Sequence, residues 1–265
     1  MNIETTMTEL IREAGKIMLS AHLEEDNSDG SVSEKAGSAN FVTKYDVAVQ
    51  EFLIDGVKNA VPGAVFIAEE KENDPAMLEA DACFVIDPID GTKNFINEYR
   101  HSCISLAMIS KGEVVFAAVY DPYMDEMFTA EKGKGARING KTMHVSERPL
   151  ELGIAAYGTS PYYKDTLTEK TFGFAKDVFL AASDIRRCGS AALDIAYLAA
   201  GRNDMFFEFI LSPWDIAAGI LLVTEAGGVI TDIKGEPISL AVPSSVFAAN
   251  RIIHPEFIKM AEKYI

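Results

Sequence analysis

Thiol and indole are scarce in this 265-residue chain, which has three cysteines and one tryptophan. Cys83, Cys103 and Cys188 form no C-x-x-C pair, and an odd, sparse count predicts reduced thiols in a cytoplasm rather than a disulfide framework. A Cys-x5-Arg thiol phosphatase is excluded by direct reading, because six positions after these cysteines stand Ile89, Ile109 and Asp194. Histidine is rare too. His22, His101, His144 and His254 are scattered without ligand spacing, and each reads as a surface or packing residue. No apolar run approaches the roughly 18 residues of a membrane span. The opening Met1-Asn2-Ile3-Glu4 lacks the basic and apolar regions of an export signal. Basic residues are the minority, 24 against 40 acidic, and the net charge of −16 opposes nonspecific binding to nucleic acid or to an anionic membrane.

What the chain does have is three acidic clusters, each beside an apolar run. Residues 84–96 read F-V-I-D-P-I-D-G-T-K-N-F-I. Phe84, Val85 and Ile86 predict a buried strand with Asp87 at its end, where open α/β sheets place their ligands. Pro88 keeps Asp87 out of the helical region, so Asp87, the Ile89 carbonyl and Asp90 can face one small volume. These are hard oxygen donors of the kind Mg²⁺ accepts. Gly91 and Thr92 read as a helix entry whose free N–H groups attract phosphate. The alternative is an ordinary capped turn.

Upstream, the run 64–67 ends in Glu69-Glu70. Adjacent strand residues point to opposite faces, so one of the two can enter a shared site; a solvated acidic loop is the other reading. Downstream, Ser212-Pro213-Trp214-Asp215 opens an apolar-periodic helix that Gly227-Gly228 closes. Asp215 falls in its first turn, where Ser-x-x-Asp is also a capping box.

Taken together, the ordered clusters resemble the inositol monophosphatase family of Mg²⁺-dependent, lithium-sensitive phosphatases, over essentially the whole chain. The E-E motif matches Glu69-Glu70, D-P-I/L-D-G-T matches Asp87 to Thr92, and W-D matches Trp214-Asp215. The segments 133–136, Asn139-Gly140, 189–192 and 224–228 look like the family as well. The resemblance implies a layered α-β-α-β-α sandwich of the inositol monophosphatase and fructose-1,6-bisphosphatase type. It also implies a cofactor of two or three Mg²⁺ ions, Mn²⁺ substituting and Li⁺ and Ca²⁺ inhibiting, and a homodimer. One ion would be held by Glu69, Asp87 and the Ile89 carbonyl, and a second by Asp87, Asp90 and Asp215. Two such ions clamp the attacking and leaving oxygens of an in-line displacement by water. Thr92 and Glu69 would orient and deprotonate that water, with Asp46 of Val42-Thr43-Lys44-Tyr45-Asp46 supporting the threonine. Thr43-x-x-Asp46 is equally a capping box. The Gly91 and Thr92 amides would grip phosphate.

On the leaving-group side the resemblance implies Ser190, Ala191 and Glu208, together with Asp90 and Asp215. Glu208 follows a predicted strand and can accept hydrogen bonds from a polyol; its alternatives are a surface position or an ion pair with Arg186 or Arg187. Ser190 is alternatively a helix N-cap. Lys35, in the 31–40 loop, lies near the family's mobile lysine loop. Many family members carry a second threonine after D-G-T, where this chain has Lys93, as do relatives acting on nucleotide 3′-phosphates.

The expected activity is hydrolysis of inositol monophosphate or a related sugar or polyol phosphate. The alternatives are a 3′-phosphoadenosine nucleotide phosphatase, a fructose-1,6-bisphosphatase, or a non-catalytic regulatory protein on the same fold. A haloacid-dehalogenase-type phosphatase also uses two aspartates before Gly-Thr, but separated by one residue where this chain has two.

The rest of the chain predicts a scaffold. Residues 6–21 read as an amphipathic helix begun by a Thr6-x-x-Glu9 box. Residues 104–109, 114–120 and 126–130 read as an antiparallel meander, and 132–137 as a hairpin tip. The chain is read as one unit, 1–265, with approximate halves 1–145 and 146–265 joined by the polar stretch 145–153. Strands and helices are expected to alternate in the second half, which ends in a helix opened by His254-Pro255.

Overall fold

A computed structural model describes residues 3–21, 32–34 and 41–265. Lys35 and His22 lie outside them.

The first helix, α1 (Ile3–Leu19), buries Met7, Ile11, Ala14 and Met18, the stripe that a 3.6-residue period places on one face. It starts a turn earlier than Thr6, so the expected Thr6 capping box does not form; Glu4 supplies the acid of the first turn. After the short strands β1 (Val32–Glu34) and β2 (Phe41–Thr43), α2 (Lys44–Ala60) buries Val49, Leu53 and Val57. Together α1 and α2 cover one face of a seven-stranded sheet.

That sheet contains β3 (Val65–Ala68), β4 (Cys83–Asp90), β5 (Cys103–Ser110), β6 (Glu113–Asp121), β7 (Glu126–Glu131), β8 (Ala136–Ile138) and β9 (Lys141–Met143), in chain order. Only β3 and β4 are parallel; the rest form the expected meander. Alternation along β4 sends Phe84 and Ile86 toward α1 and α2, and Cys83 and Val85 into a second core on the other face. The strand does not stop at Asp87. It runs through Pro88 to Asp90 with an irregular register between Asp87 and Asp90, where a bulge tolerates the missing proline N–H.

The turn between β7 and β8 is the expected hairpin tip. Its Gly133 and Gly135 N–H groups donate to the Glu225 carboxylate at 2.7 and 2.8 Å, which brings two distant motifs together.

A five-stranded sheet follows, with order β11-β10-β12-β14-β13, from β10 (Ile154–Tyr157), β11 (Asp184–Arg186), β12 (Met205–Leu211), β13 (Val229–Thr231) and β14 (Ser244–Ala249). Between the sheets lie α5 (Ala191–Ala199) and α6 (Pro213–Glu225), rich in alanine and buried on nearly every side. Outside the second sheet, α4 (Lys164–Ala181) and α7 (His254–Ala261) close over Phe174, Phe207, Phe247 and Phe257. The short α3 (Thr92–Ile96) caps the exit of β4. The layers are therefore α-β-α-β-α. Alternation fails once: β13 and β14 pair antiparallel with no helix between them, and the connecting segment carries Pro237 and Pro243, which break helices. Among the described residues no helix is long and apolar enough to cross a membrane.

Candidate active site

The end of β4, the start of α6 and the turn before α5 converge on a cavity of about 650 Å³. Glu69, Asp87, Asp90 and Asp215 all line it, from three separate chain segments. One carboxylate oxygen each of Asp87, Asp90 and Asp215 falls within 4.8 Å of the others. Glu70 does not line the cavity; its backbone N–H donates to Gln50 Oε1 at 2.9 Å.

Each carboxylate is held by its own local structure. Asp215 Oδ2 accepts the Ser212 N–H at 2.7 Å, so the capping bond at the start of α6 and the placement in the cavity coexist. Asp90 Oδ2 accepts the Ala192 N–H at 2.8 Å and the Ser190 hydroxyl. Ser190 occupies the N-cap position of α5 without capping it, and Asp90 satisfies that helix end from across the molecule. Asp87 is different: it is 1% exposed, and among the described residues its Oδ1 has no hydrogen-bond partner.

An unpaired buried carboxylate oxygen is costly unless something charged meets it. Burial, then the charges of Glu69, Asp90, Asp215 and Asp46, lift the Asp87 pKa well above the ordinary value. Burial and then Asp90 and Glu69 do the same to Asp215. Asp90 is raised by burial and partly restrained by Ser190 and Ala192. Mutually repelling oxygen donors around a gap of this size fit a divalent cation of the Mg²⁺ type.

Thr92 stands at the head of α3. Its hydroxyl lies 3.2 Å from Asp46 Oδ1 and 3.1 Å from the Ile89 carbonyl. Asp46 Oδ2 accepts the Thr43 N–H at 2.8 Å and the Thr43 hydroxyl, so the capping box and the contact with Thr92 are both present. Burial raises Asp46 to about 6, against the hydrogen bonds of Thr43. Gly91 adopts φ +85°, and a Cβ there would lie 3.1 Å from the His101 carbonyl oxygen and 3.2 Å from that of Gly189. Glycine lets β4 turn directly into α3 beneath that loop.

On the opposite wall, Glu208 is 6% exposed and accepts the Ser160 N–H at 2.6 Å and the Ser160 hydroxyl at 3.2 Å. It is neither a surface residue nor an ion-pair partner of Arg186, which bonds Asp184 instead. Burial raises Glu208 to about 7. Ala191 also lines the cavity.

Sequence reasoning missed the rim. Tyr162, Tyr163, Lys164 and Arg187 line the mouth beside Lys93. Arg187 Nη2 donates to Thr159 Oγ1 at 3.1 Å, fixing the guanidinium there. His101 packs edge-on against Tyr197, as a packing residue would, and in addition its Nε2 lies 3.2 Å from Asp194 Oδ1, beside Cys188. The available signal was Asp194, a lone acid on a helix otherwise built of alanine, leucine, isoleucine and tyrosine.

The layers and the acidic cavity define an α/β sandwich whose carboxylates are arranged for divalent cations. The chain belongs to the inositol monophosphatase family: the sequence model of that family matches residues 2–265. It is 40% identical over 225 residues to the Nus factor SuhB of Salmonella typhimurium, covering 84% of this chain and 82% of that protein. The extragenic suppressor protein suhB of Bartonella henselae superimposes with a TM-score of 0.89 at 32% identity, over the whole of both chains. An IMPase of Thermotoga maritima gives 0.87 at 32% identity, over 100% of this chain and 98% of that one.

Proposed function

We propose that the protein is a Mg²⁺-dependent phosphomonoesterase that hydrolyses inositol monophosphate or a related polyol or sugar phosphate, acting in the cytoplasm as a homodimer. The observation that carries this reading is Asp87 Oδ1, buried among Glu69, Asp90 and Asp215 with no hydrogen-bond partner among the described residues. Glu69, Asp87, Asp90, Asp215 and the Ile89 carbonyl would hold the cations, which when bound neutralise the phosphate and lower the pKa of water.

The chain's own groups then orient the reaction. The Thr92 hydroxyl donates to Asp46, leaving its lone pairs to receive a proton from the attacking water. Asp46, at about 6, is ionised at neutral pH and accepts the relayed proton at Oδ1. The Gly91 and Thr92 amides face phosphate oxygens. Ser190, Ala191 and Glu208 meet the leaving alcohol, with Glu208 accepting or donating a hydroxyl hydrogen bond according to its protonation state. The cationic rim of Lys93, Lys164 and Arg187 draws anionic substrates into an otherwise acidic molecule.

Phosphate release from a panel tests this: myo-inositol monophosphate, other polyol phosphates, fructose 1,6-bisphosphate and a nucleotide 3′-phosphate, with and without Mg²⁺. Mg²⁺-dependent turnover of the polyol esters, inhibited by millimolar Li⁺, is expected. A preference for the nucleotide would make Lys93 the guide to substrate. Absence of turnover on every ester would favour the second reading, a binding role of the kind that the name Nus factor gives to the Salmonella relative.

A further inference from the structure

A second group of ligating side chains adjoins the carboxylate cluster: its Asp194 also lines the cavity, and the charges of Asp194 and His101 both reach Asp90. His101 lies in the loop before β5, Cys188 in the loop before α5, and Asp194 in the first turn of α5. One ligand atom of each falls within 4.8 Å of the others. The sequence hides this group, since 87 positions separate His101 from Cys188 and only the fold brings them together.

We propose that His101, Cys188 and Asp194 form a second site, adjoining the first, for a borderline or soft divalent metal of the Zn²⁺ class. Imidazole nitrogen, thiolate sulfur and carboxylate oxygen are the three donor types Zn²⁺ accepts. Mg²⁺ takes oxygen and declines sulfur, so the donor set separates this site from the all-oxygen cavity. His101 Nε2 and Asp194 Oδ1 stand 3.2 Å apart. That is close to the ~3.3 Å edge of a tetrahedron with metal–ligand bonds of about 2.0 Å.

The ligands are held in advance. Asn94 Nδ2 donates to the carbonyl of His101 at 2.7 Å and to that of Cys188 at 2.9 Å, tying the two ligand-bearing loops to one amide. The His101 ring meets Tyr197 edge-on, with centroids 5.8 Å apart, which restricts its rotation. Asp194 is buried and His101 nearly so, at 2% and 15% side-chain exposure, while Cys188 is half-buried. The thiol side therefore leaves a path for the ion and for a water as fourth ligand. The Cys188 thiol hydrogen-bonds Asp194 as His101 does, so both neighbours converge on one carboxylate, and a metal would take the place of the two shared protons.

The test uses the full chain with saturating Mg²⁺ and Co²⁺ as a spectroscopic probe. One equivalent of Co²⁺ should produce a thiolate-to-metal charge-transfer band, and Zn²⁺ should displace it. Cys188→Ser should abolish the band and weaken Zn²⁺ binding at least tenfold. Asp215→Asn should leave the band unchanged. Absence of the band in the unaltered protein, its survival in Cys188→Ser, or its loss in Asp215→Asn would each overturn the proposal. A second measurement needs no variant. Cys83 and Cys103 are fully buried, so alkylation mapped by mass spectrometry reports Cys188. Zn²⁺ should slow that alkylation at least tenfold in the presence of Mg²⁺, and an unchanged rate would also refute the site.

Discussion

Glu208→Gln should make the protein's stability less sensitive to pH, by an amount that the site itself sets. In the unfolded chain this carboxyl releases its proton near an ordinary 4.5; in the folded protein burial holds it to about 7. The folded state thus binds a proton that the unfolded state has lost, and stability falls as pH rises through that interval. The contribution is fully present below pH 4.5 and is lost above about 7. At about 1.4 kcal/mol per pH unit, the loss by pH 8 amounts to ~3 kcal/mol. Glutamine matches the shape of the protonated acid, and its Oε1 can still accept the Ser160 N–H, but it cannot ionise. Urea unfolding of both proteins between pH 5 and pH 8 would measure this, with EDTA present so that metal binding adds nothing. Trp214 fluorescence and far-ultraviolet circular dichroism should report the same transition. The variant's advantage over the parent should grow by ~2–3 kcal/mol across that range; carboxylates remote from Glu208 titrate alike in both proteins and cancel, while Asp90 and Asp215, which interact with it, contribute to the difference. An advantage constant to within ~1 kcal/mol would refute the claim that Glu208 is held protonated by its surroundings.

Three further outcomes can be checked. Asp90→Asn should lower turnover on the order of 10³-fold while the protein stays folded, since asparagine can still accept from Ser190 and Ala192; near-normal turnover in saturating Mg²⁺ would remove Asp90 from the cation site. Thr92→Ala should reduce kcat far more than it raises KM, and the reverse pattern in steady-state kinetics would make Thr92 a binding residue. Gly158→Ala should cost about 1–3 kcal/mol in thermal or urea unfolding, because the new Cβ would stand 1.7 Å from Glu208 Oε2; an unchanged midpoint would mean that Glu208 is free to swing away.

The scaffold was legible wherever one periodicity governed a whole segment. The stripe of α1, the meander and the Ser212-Pro213 start of α6 follow from patterns of 3.6 and 2 residues and from turn chemistry. Boundaries were less legible. Thr6 carries a capping signal that tertiary packing of Ile3 and Glu4 overrides, and Pro88 marks a bulge inside β4 rather than its end. The acidic cluster was legible because its members sit in motifs beside apolar runs. The rim and the His101–Cys188–Asp194 group were not, because each depends on segments joined only by the closing of the two sheets, which no local spacing records. Glu208 and Asp46 can be singled out on the chain by motif, yet their partners Ser160 and Thr92 are 48 and 46 residues away.

The two central aspartates would fare differently over descent. Asp90 completes the first turn of a helix that carries the middle layer, so a lineage that stopped hydrolysing phosphate would still be selected to keep it. Asp87 has no such second employment among the described residues: the neighbouring carboxylates repel it, and a cation would compensate. Relaxed selection should replace Asp87 early and Asp90 late. Among relatives named for roles other than hydrolysis, the residue at Asp87 is therefore the more telling record of whether the ancestral chemistry is still in use.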